Sequence, residues 1–270
     1  MLPSRYAPAL LAVCFALLLI AVVSQADVIV QEPFTGDALP SGFSLASGAS
    51  ARAPTYTPSG IEFAGDGDNA RNYVRTDAAD FHDTHLVAYL TVETQLGVSF
   101  NLDSQLFFGL GSGVVGGYGV PDRGEAHGLY LNLNHQPGGL AIFYTTPSAH
   151  PDLATPAYID DADQDQVTTT AVRMIYNPDT GTVAYAVDFE YAGDATYADF
   201  VADQTIGPVD VPAVLSTAWA EGAPARIVFG GDSDTNSRLI VRDLYVIPEP
   251  ATMGLLALGG MALIRRRLRN

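Results

Sequence analysis

Between residues 171 and 189 the sequence alternates apolar and polar residues with a period of two, and this leaves few folds open to the chain. Val183, Tyr185, Val187 and Phe189 fall on one face of an extended strand, and Thr182, Ala184, Ala186 and Asp188 on the other. In the preceding run Val172, Met174 and Tyr176 fall together in the same way. The two runs are joined by Asn177-Pro178-Asp179-Thr180-Gly181, where proline pre-sets φ and glycine supplies a positive one. Together they read as a β-hairpin.

The same pattern recurs along the chain. Strands are predicted over residues 28–32, 60–63, 72–76, 85–93, 106–110, 129–134, 140–145, 226–230 and 238–246, punctuated by Gly, Pro, Asn and Asp. Within 85–93, Leu86, Ala88, Leu90 and Val92 point one way. Residues 212–221 are predicted as a short helix, with Trp219 packed under a loop. No internal repeat or shift of composition marks a second domain. About eleven strands over some 220 residues suit one all-β jelly roll, a β-sandwich of two antiparallel sheets.

Both ends of the chain differ from this middle. Arg5 is the only charge before an apolar run from residue 9 to 23, and Ser24-Gln25-Ala26 follows. That order is a secretory signal peptide, with residues 1–26 removed and the mature chain starting at Asp27. Cys14, the single cysteine, lies inside this segment, so the mature protein has neither disulfide nor thiol chemistry. At the other end Pro248-Glu249-Pro250 precedes an uncharged stretch, residues 251–264, and then Arg265, Arg266, Arg267 and Arg269. As a helix that stretch would span about 21 Å, short of the ~30 Å hydrocarbon core, and snorkelling arginines would close part of the gap. The basic cluster keeps the terminus cytoplasmic and the large domain outside.

These three parts in this order resemble the PEP-CTERM sorting signal of exopolysaccharide-producing Gram-negative bacteria. The resemblance implies a transmembrane segment in residues 247–270 and a transient stay in the inner membrane. It also implies recognition of Pro248, Glu249 and Pro250 by an exosortase-type processing enzyme. The destination it implies is the cell surface or extracellular matrix.

The domain between, residues 27–246, is strongly acidic. All 30 carboxylates of the chain lie between Asp27 and Glu249, against eight arginines and no lysine, a net charge of −22. Such a field repels nucleic acid, so a nucleic-acid partner is not expected.

The order of strand signals resembles the concanavalin A-like, laminin G-like (LamG) sandwiches of lectins and glucanases. It is carried by Phe34-Thr35-Gly36 with Leu39-Pro40-Ser41-Gly42-Phe43, and by Tyr73-Val74-Arg75-Thr76. Phe107-Phe108-Gly109-Leu110-Gly111-Ser112-Gly113 and Ile227-Val228-Phe229-Gly230-Gly231 complete it. The resemblance implies either glycan binding or glycan hydrolysis. Glucanases on this sandwich carry a strand of paired Glu and Asp with carboxyls ~5–5.5 Å apart. The nearest run here, Asp188-Phe189-Glu190, lacks the leading Glu because residue 186 is Ala, and it reads as a solvated outer face. No Gly-x-Ser-x-Gly elbow is present, and His82 and His85 beside Asp80 and Asp83 read as a polar turn. A non-enzymatic role is therefore expected, in binding or structure within an exopolysaccharide layer, with a glucanase-like enzyme as the alternative.

Calcium is the expected cofactor, because hard oxygen donors cluster in three loops. Asp66, Asp68 and Asn69 flank Gly67, while Asp161, Asp163 and Asp165 after Asp160 have the 1, 3, 5 spacing of an EF-hand loop, and Asp232, Asp234 and Asn236 have the same opening. The second and third lack its central glycine, and a solvated acidic turn is the competing reading for each. A polysaccharide would need aromatic platforms beside groups that fix hydroxyls. Tyr118, Arg123, Tyr130, Asn132 and Tyr144 are the candidates, against half-buried packing tyrosines.

Overall fold

The computed structural model describes residues 29–45, 53–63, 72–77, 81–95, 104–112, 127–133, 139–146, 151, 153, 157–158, 167–193, 196–233 and 239–248. In chain order the strands are β1 (Val30–Pro33), β2 (Phe43–Leu45), β3 (Thr55–Thr57), β4 (Gly60–Glu62) and β5 (Asn72–Thr76). Next come β6 (Leu86–Gln95), β7 (Ser104–Gly111), β8 (Gly128–Leu133), β9 (Gly139–Thr145) and β10 (Ala157–Tyr158). The last are β11 (Val167–Asn177), β12 (Thr182–Asp188), β13 (Gln204–Asp210), β14 (Arg226–Ser233) and β15 (Leu239–Pro248), with one helix, α1 (Ala213–Ala220), before β14. They form an eight-stranded sheet, β13-β12-β11-β6-β15-β4-β3 with β1 also on β15, and a seven-stranded sheet, β10-β9-β8-β7-β14-β5-β2. Every pairing among the described strands is antiparallel. The all-β sandwich is as the alternation demands.

The hairpin β11–β12 is built as its sequence predicts. Asn177 Oδ1 accepts the Thr180 N–H at 3.0 Å, and Gly181 takes φ +62 to close the turn. Val183, Tyr185 and Val187 then face the core, each at most 2% exposed. Across the sandwich Phe108 of β7 meets Tyr185 edge-on at 6.5 Å. Each such side chain contributes about 1.5–3 kcal/mol when removed from water. At the β1–β2 end, Phe34, Phe43 and Phe229 close a three-ring contact with centroids 5.3–6.4 Å apart.

Helix α1 follows Pro212, whose fixed φ suits a helix start, and buries Leu215 and Trp219 one turn apart. Gly222, at φ +103, ends it. Trp219 lies edge-on to Tyr176 at 6.3 Å and belongs to the main core.

The outer face of the eight-stranded sheet departs from expectation. Asp188, read from sequence as solvated, is 8% exposed, and its Oδ2 accepts the Val201 N–H at 2.9 Å. Asp203 Oδ2 in return accepts the Phe189 N–H at 2.8 Å. The two carboxylates thereby tie Val201 and Phe189 together, and residues 189–193 and 196–203 fold back toward the sheet. There Tyr191 and Tyr197 pack with Ala171, Tyr89, Phe200 and Tyr245, a second apolar layer outside the sandwich core. Asp188→Ala should therefore cost about 1–3 kcal/mol, the cost of leaving a buried N–H unpaired, measurable as a lowered urea midpoint. An unchanged midpoint would show that the clamp is idle.

A bulge in β15 supplies the rest of this layer. Val241 pairs with Val92 and Asp243 with Thr91, so Arg242 is an extra residue. Leu239 and Val241 face the core before it, Leu244 and Val246 after it, and Asp243 and Tyr245 turn outward.

Candidate functional site

The outer face of the seven-stranded sheet carries a second buried layer. In β7, β8, β9 and β14 many of the residues between the core positions are themselves apolar or glycine, with Asn132, Thr145 and Arg226 among the exceptions. All six residues of β8 are buried. Tyr73, Phe107, Tyr130, Phe143 and Val228 form a cluster of their own, between 0% and 7% exposed, distinct from the sandwich core. Tyr73 meets Phe107 edge-on at 5.9 Å, Phe107 meets Phe143 at 5.7 Å, and Phe143 meets Tyr130 at 5.7 Å.

Glycine makes the room for these rings. Gly111 pairs with Gly128, and a Cβ on either would lie 2.1 Å from the Tyr130 hydroxyl oxygen. The Tyr130 ring thus lies flat along its own strand and the next. Gly230, in register with both Tyr73 and Phe107, lets those rings meet above it. Rings over glycine lie flat along the pleated sheet, and at 0–7% exposed they form a second buried layer outside the sandwich core.

Polar groups border this layer at the β7–β8 end. Arg75 donates from Nε to Ser44 Oγ at 3.0 Å and from Nη1 to the Ser112 carbonyl at 2.9 Å. Ser112 Oγ accepts the His127 N–H at 3.1 Å, and the Ser112 N–H reaches the His127 carbonyl at 3.1 Å. These bonds pin the two ends between which Tyr118 and Arg123 lie in the sequence; both of those candidates fall outside the described residues.

Among the carbohydrate candidates, Tyr130 and Asn132 share the outer face by alternation. Tyr144 does not: it pairs with Leu129 and packs against the sandwich core. The aromatic partners that Tyr130 does have, Phe143, Phe107 and Tyr73, were not singled out from sequence as ligands. Their signal was the near-absence of polar residues in 106–110 and 128–133, Asn132 apart, which marks strands covered on both sides.

The calcium candidates Asp66, Asp68, Asn69, Asp161, Asp163, Asp165, Asp234 and Asn236 lie outside the described residues. Asp232 is in β14, in register with Gln105. The residues that flank the three loops do lie together. Phe63 bonds to the Leu239 carbonyl, Asn72 pairs with Gly231, Tyr158 with Gly139, Val167 with Gln95 and Ser233 with Ser104. All of these are at one end of the sandwich, opposite Ser112 and His127. Among the described residues no group of three or more His, Asp or Glu gathers as a metal site. His85 Nε2 lies 2.9 Å from the carboxylate of Asp179 in the β11–β12 turn. Asp188 is held by the backbone of Val201 while Glu190 beyond it is exposed, so they form no matched pair.

Pro248 is the last residue of β15, paired with Leu86. Glu249, Pro250, Arg265, Arg266 and Arg267 lie outside the described residues, as do residues 1–26. No described helix is long and apolar enough to cross a membrane.

Residues 246–269 match the PEP-CTERM protein-sorting motif. No curated protein sequence matches the chain. Among solved structures the chain is similar to the metal-free carbohydrate recognition domain of Emp46p, with 13% identity and a TM-score of 0.52, covering 80% of this chain and 95% of that one. It is similar also to the exoplasmic/lumenal domain of VIP36 bound to Ca2+ and Man2, with 13% identity and a TM-score of 0.54, covering 82% of this chain and 87% of that one. The metal-free VIP36 domain gives 12% identity, a TM-score of 0.54, and coverage of 84% and 93%. The fold is thus a concanavalin A-like jelly roll followed by a sorting motif.

Proposed function

We propose that this chain is exported, sorted by its tail through an exosortase-type enzyme, and delivered to the cell surface or extracellular matrix. There the sandwich binds a carbohydrate, non-enzymatically, within an exopolysaccharide layer. The observation that carries this reading is the joining of a PEP-CTERM motif to a sandwich that matches carbohydrate recognition domains over at least 80% of the chain. Calcium, which one VIP36 structure holds together with a mannose ligand, is proposed to occupy the loop end where the three acidic segments leave the sheets. The VIP36 domain is seen with Man3GlcNAc and with Man2, so mannose oligosaccharides are the first ligands to try.

Titration calorimetry of the mature protein with mannose oligosaccharides and with the host's own polysaccharide, with and without millimolar Ca2+, tests the reading. Calcium-dependent saturable binding is expected, together with a rise of several degrees in thermal midpoint from calcium alone, by mass action on the folded form. No binding to any glycan in the presence of calcium would overturn it.

A further inference from the structure

The junction between domain and sorting tail has almost no length. β15 is flanked by β6 over its whole run and by β1 near its end. Val246 pairs with Ala88 and with Val30, Ile247 with Val87 and Pro248 with Leu86. The Ile29 N–H also bonds to the Val246 carbonyl at 2.8 Å. The first proline of the motif is therefore a member of the sheet. Only Glu249 and Pro250 separate it from the apolar run that starts at Ala251. Fully extended, two residues reach about 7 Å.

That run is itself short. Its 14 residues would span about 21 Å of a ~30 Å hydrocarbon layer, so a spanning segment draws its flanks inward. In the sorting reading the last paired residue, Pro248, is thus two residues from the start of that apolar run. An enzyme that must close around Pro248, Glu249 and Pro250 meets the β6 and β1 edges before it meets the motif.

We propose that the last three residues of β15, Val246 to Pro248, act as a gate for tail processing: they must leave the sheet before the enzyme engages the motif. The proposal rests on the sorting reading above and adds to it the step that limits the rate. If opening precedes engagement, processing scales with the open fraction of the strand end, as binding does for any state only partly populated. Opening is local, because Leu244 and the residues before it keep their partners in both sheets' core.

The test is pulse–chase of tail removal from the full chain in its own host. An eight-residue Gly/Ser spacer inserted between Ile247 and Pro248 frees the motif without touching it. It should speed processing at least about fivefold, since the motif is then always open. Ile247→Gly, which weakens the strand end, should also speed it. The same spacer inserted after Asp179, in a turn whose side chain is 82% exposed, should leave the rate unchanged. An unchanged or slower rate for the junction spacer overturns the gate. A wild-type chain that keeps its tail, or alanine at 248–250 that is still processed, overturns the sorting reading instead.

Discussion

Gly230→Ala should cost about 3–5 kcal/mol of folding free energy, which places it in the far tail of single substitutions. The reason is where the methyl would have to go. Gly230 is in β14, between β5 and β7, and a Cβ there would lie 2.1 Å from the Asn72 carbonyl oxygen and 2.8 Å from the Tyr73 Cα. Both are backbone atoms of the neighbouring strand, so no rotamer change relieves the clash. The strands must part, and with them the Tyr73–Phe107 edge contact that closes over the glycine. The loss therefore falls on the outer aromatic layer as well as on the ladder. Denaturant titration measures it, and Gly36→Ala is the control. At Gly36 the nearest heavy atoms are 3.6 Å and 3.8 Å away, an ordinary contact, so a change within about 0.5 kcal/mol is expected. Near-equal effects of the two substitutions would mean that the close approach of β5 to β14 is not real.

The contrast between those two glycines shows what local pattern reveals and what it hides. Alternation in residues 171–189 fixed a hairpin, its turn and its buried face, because one face of an antiparallel pair must be apolar. The spacing of Leu239, Val241, Leu244 and Val246 even requires the bulge at Arg242, since a strict period of two cannot bring all four inward. Where the local signal was weak the strands were missed. β13 carries Gly207-Pro208 in its middle, which reads as a turn but is tolerated on a sheet edge, where one side of the strand needs no partner. β2 and β3 are three residues each, too short for any period to show. The outer layers were illegible for a different reason. Reading Asp188 as solvated assumes that the face away from the core meets water. That assumption fails when other residues, here 189–193 and 196–203, fold back toward the face. Tyr130 was named from its neighbourhood of glycines, yet the partners that cluster with it lie on β5, β7 and β9. Only the strand order, with Gly128 set against Gly111, brings them together.

Tyr197→Ala should destabilise the protein by about 3–5 kcal/mol, the usual cost of deleting a buried aromatic ring. Tyr197 stacks on Tyr89 at 4.4 Å and on Tyr191 at 5.2 Å, and lies 5.8 Å from Tyr245, so its ring holds residues 189–193 and 196–203 to the sheet. Its backbone has φ +56, an uncommon conformation for a tyrosine that the surrounding packing must maintain. The hydroxyl adds a pH-dependent part. It donates to Asp243 Oδ1 and lies 2.6 Å from Thr91 Oγ1. Burial pushes the Asp243 carboxyl above its ordinary value, and the Tyr197 and Thr91 bonds pull it part of the way back. Burial, and then the nearby Asp243 charge, likewise push the Tyr197 phenol well up, so it stays protonated and remains a donor. A carboxyl whose folded pKa lies above its unfolded one favours folding fully below about pH 3.8, and that contribution is lost as pH rises through the raised value. Tyr197→Phe keeps the ring and removes the donor, which raises the Asp243 pKa further. Its deficit relative to wild type should therefore be small in acid and grow as pH rises through the Asp243 titration, reaching about 1.5–3 kcal/mol at neutral pH for a lost bond to a buried charge. In an Asp243→Asn background the same substitution should show a deficit that no longer varies with pH. Stability measured by urea at four or five pH values separates the cases: a Tyr197→Phe deficit that is flat with pH in the wild-type background would mean that Asp243 does not carry its charge under the tyrosine layer.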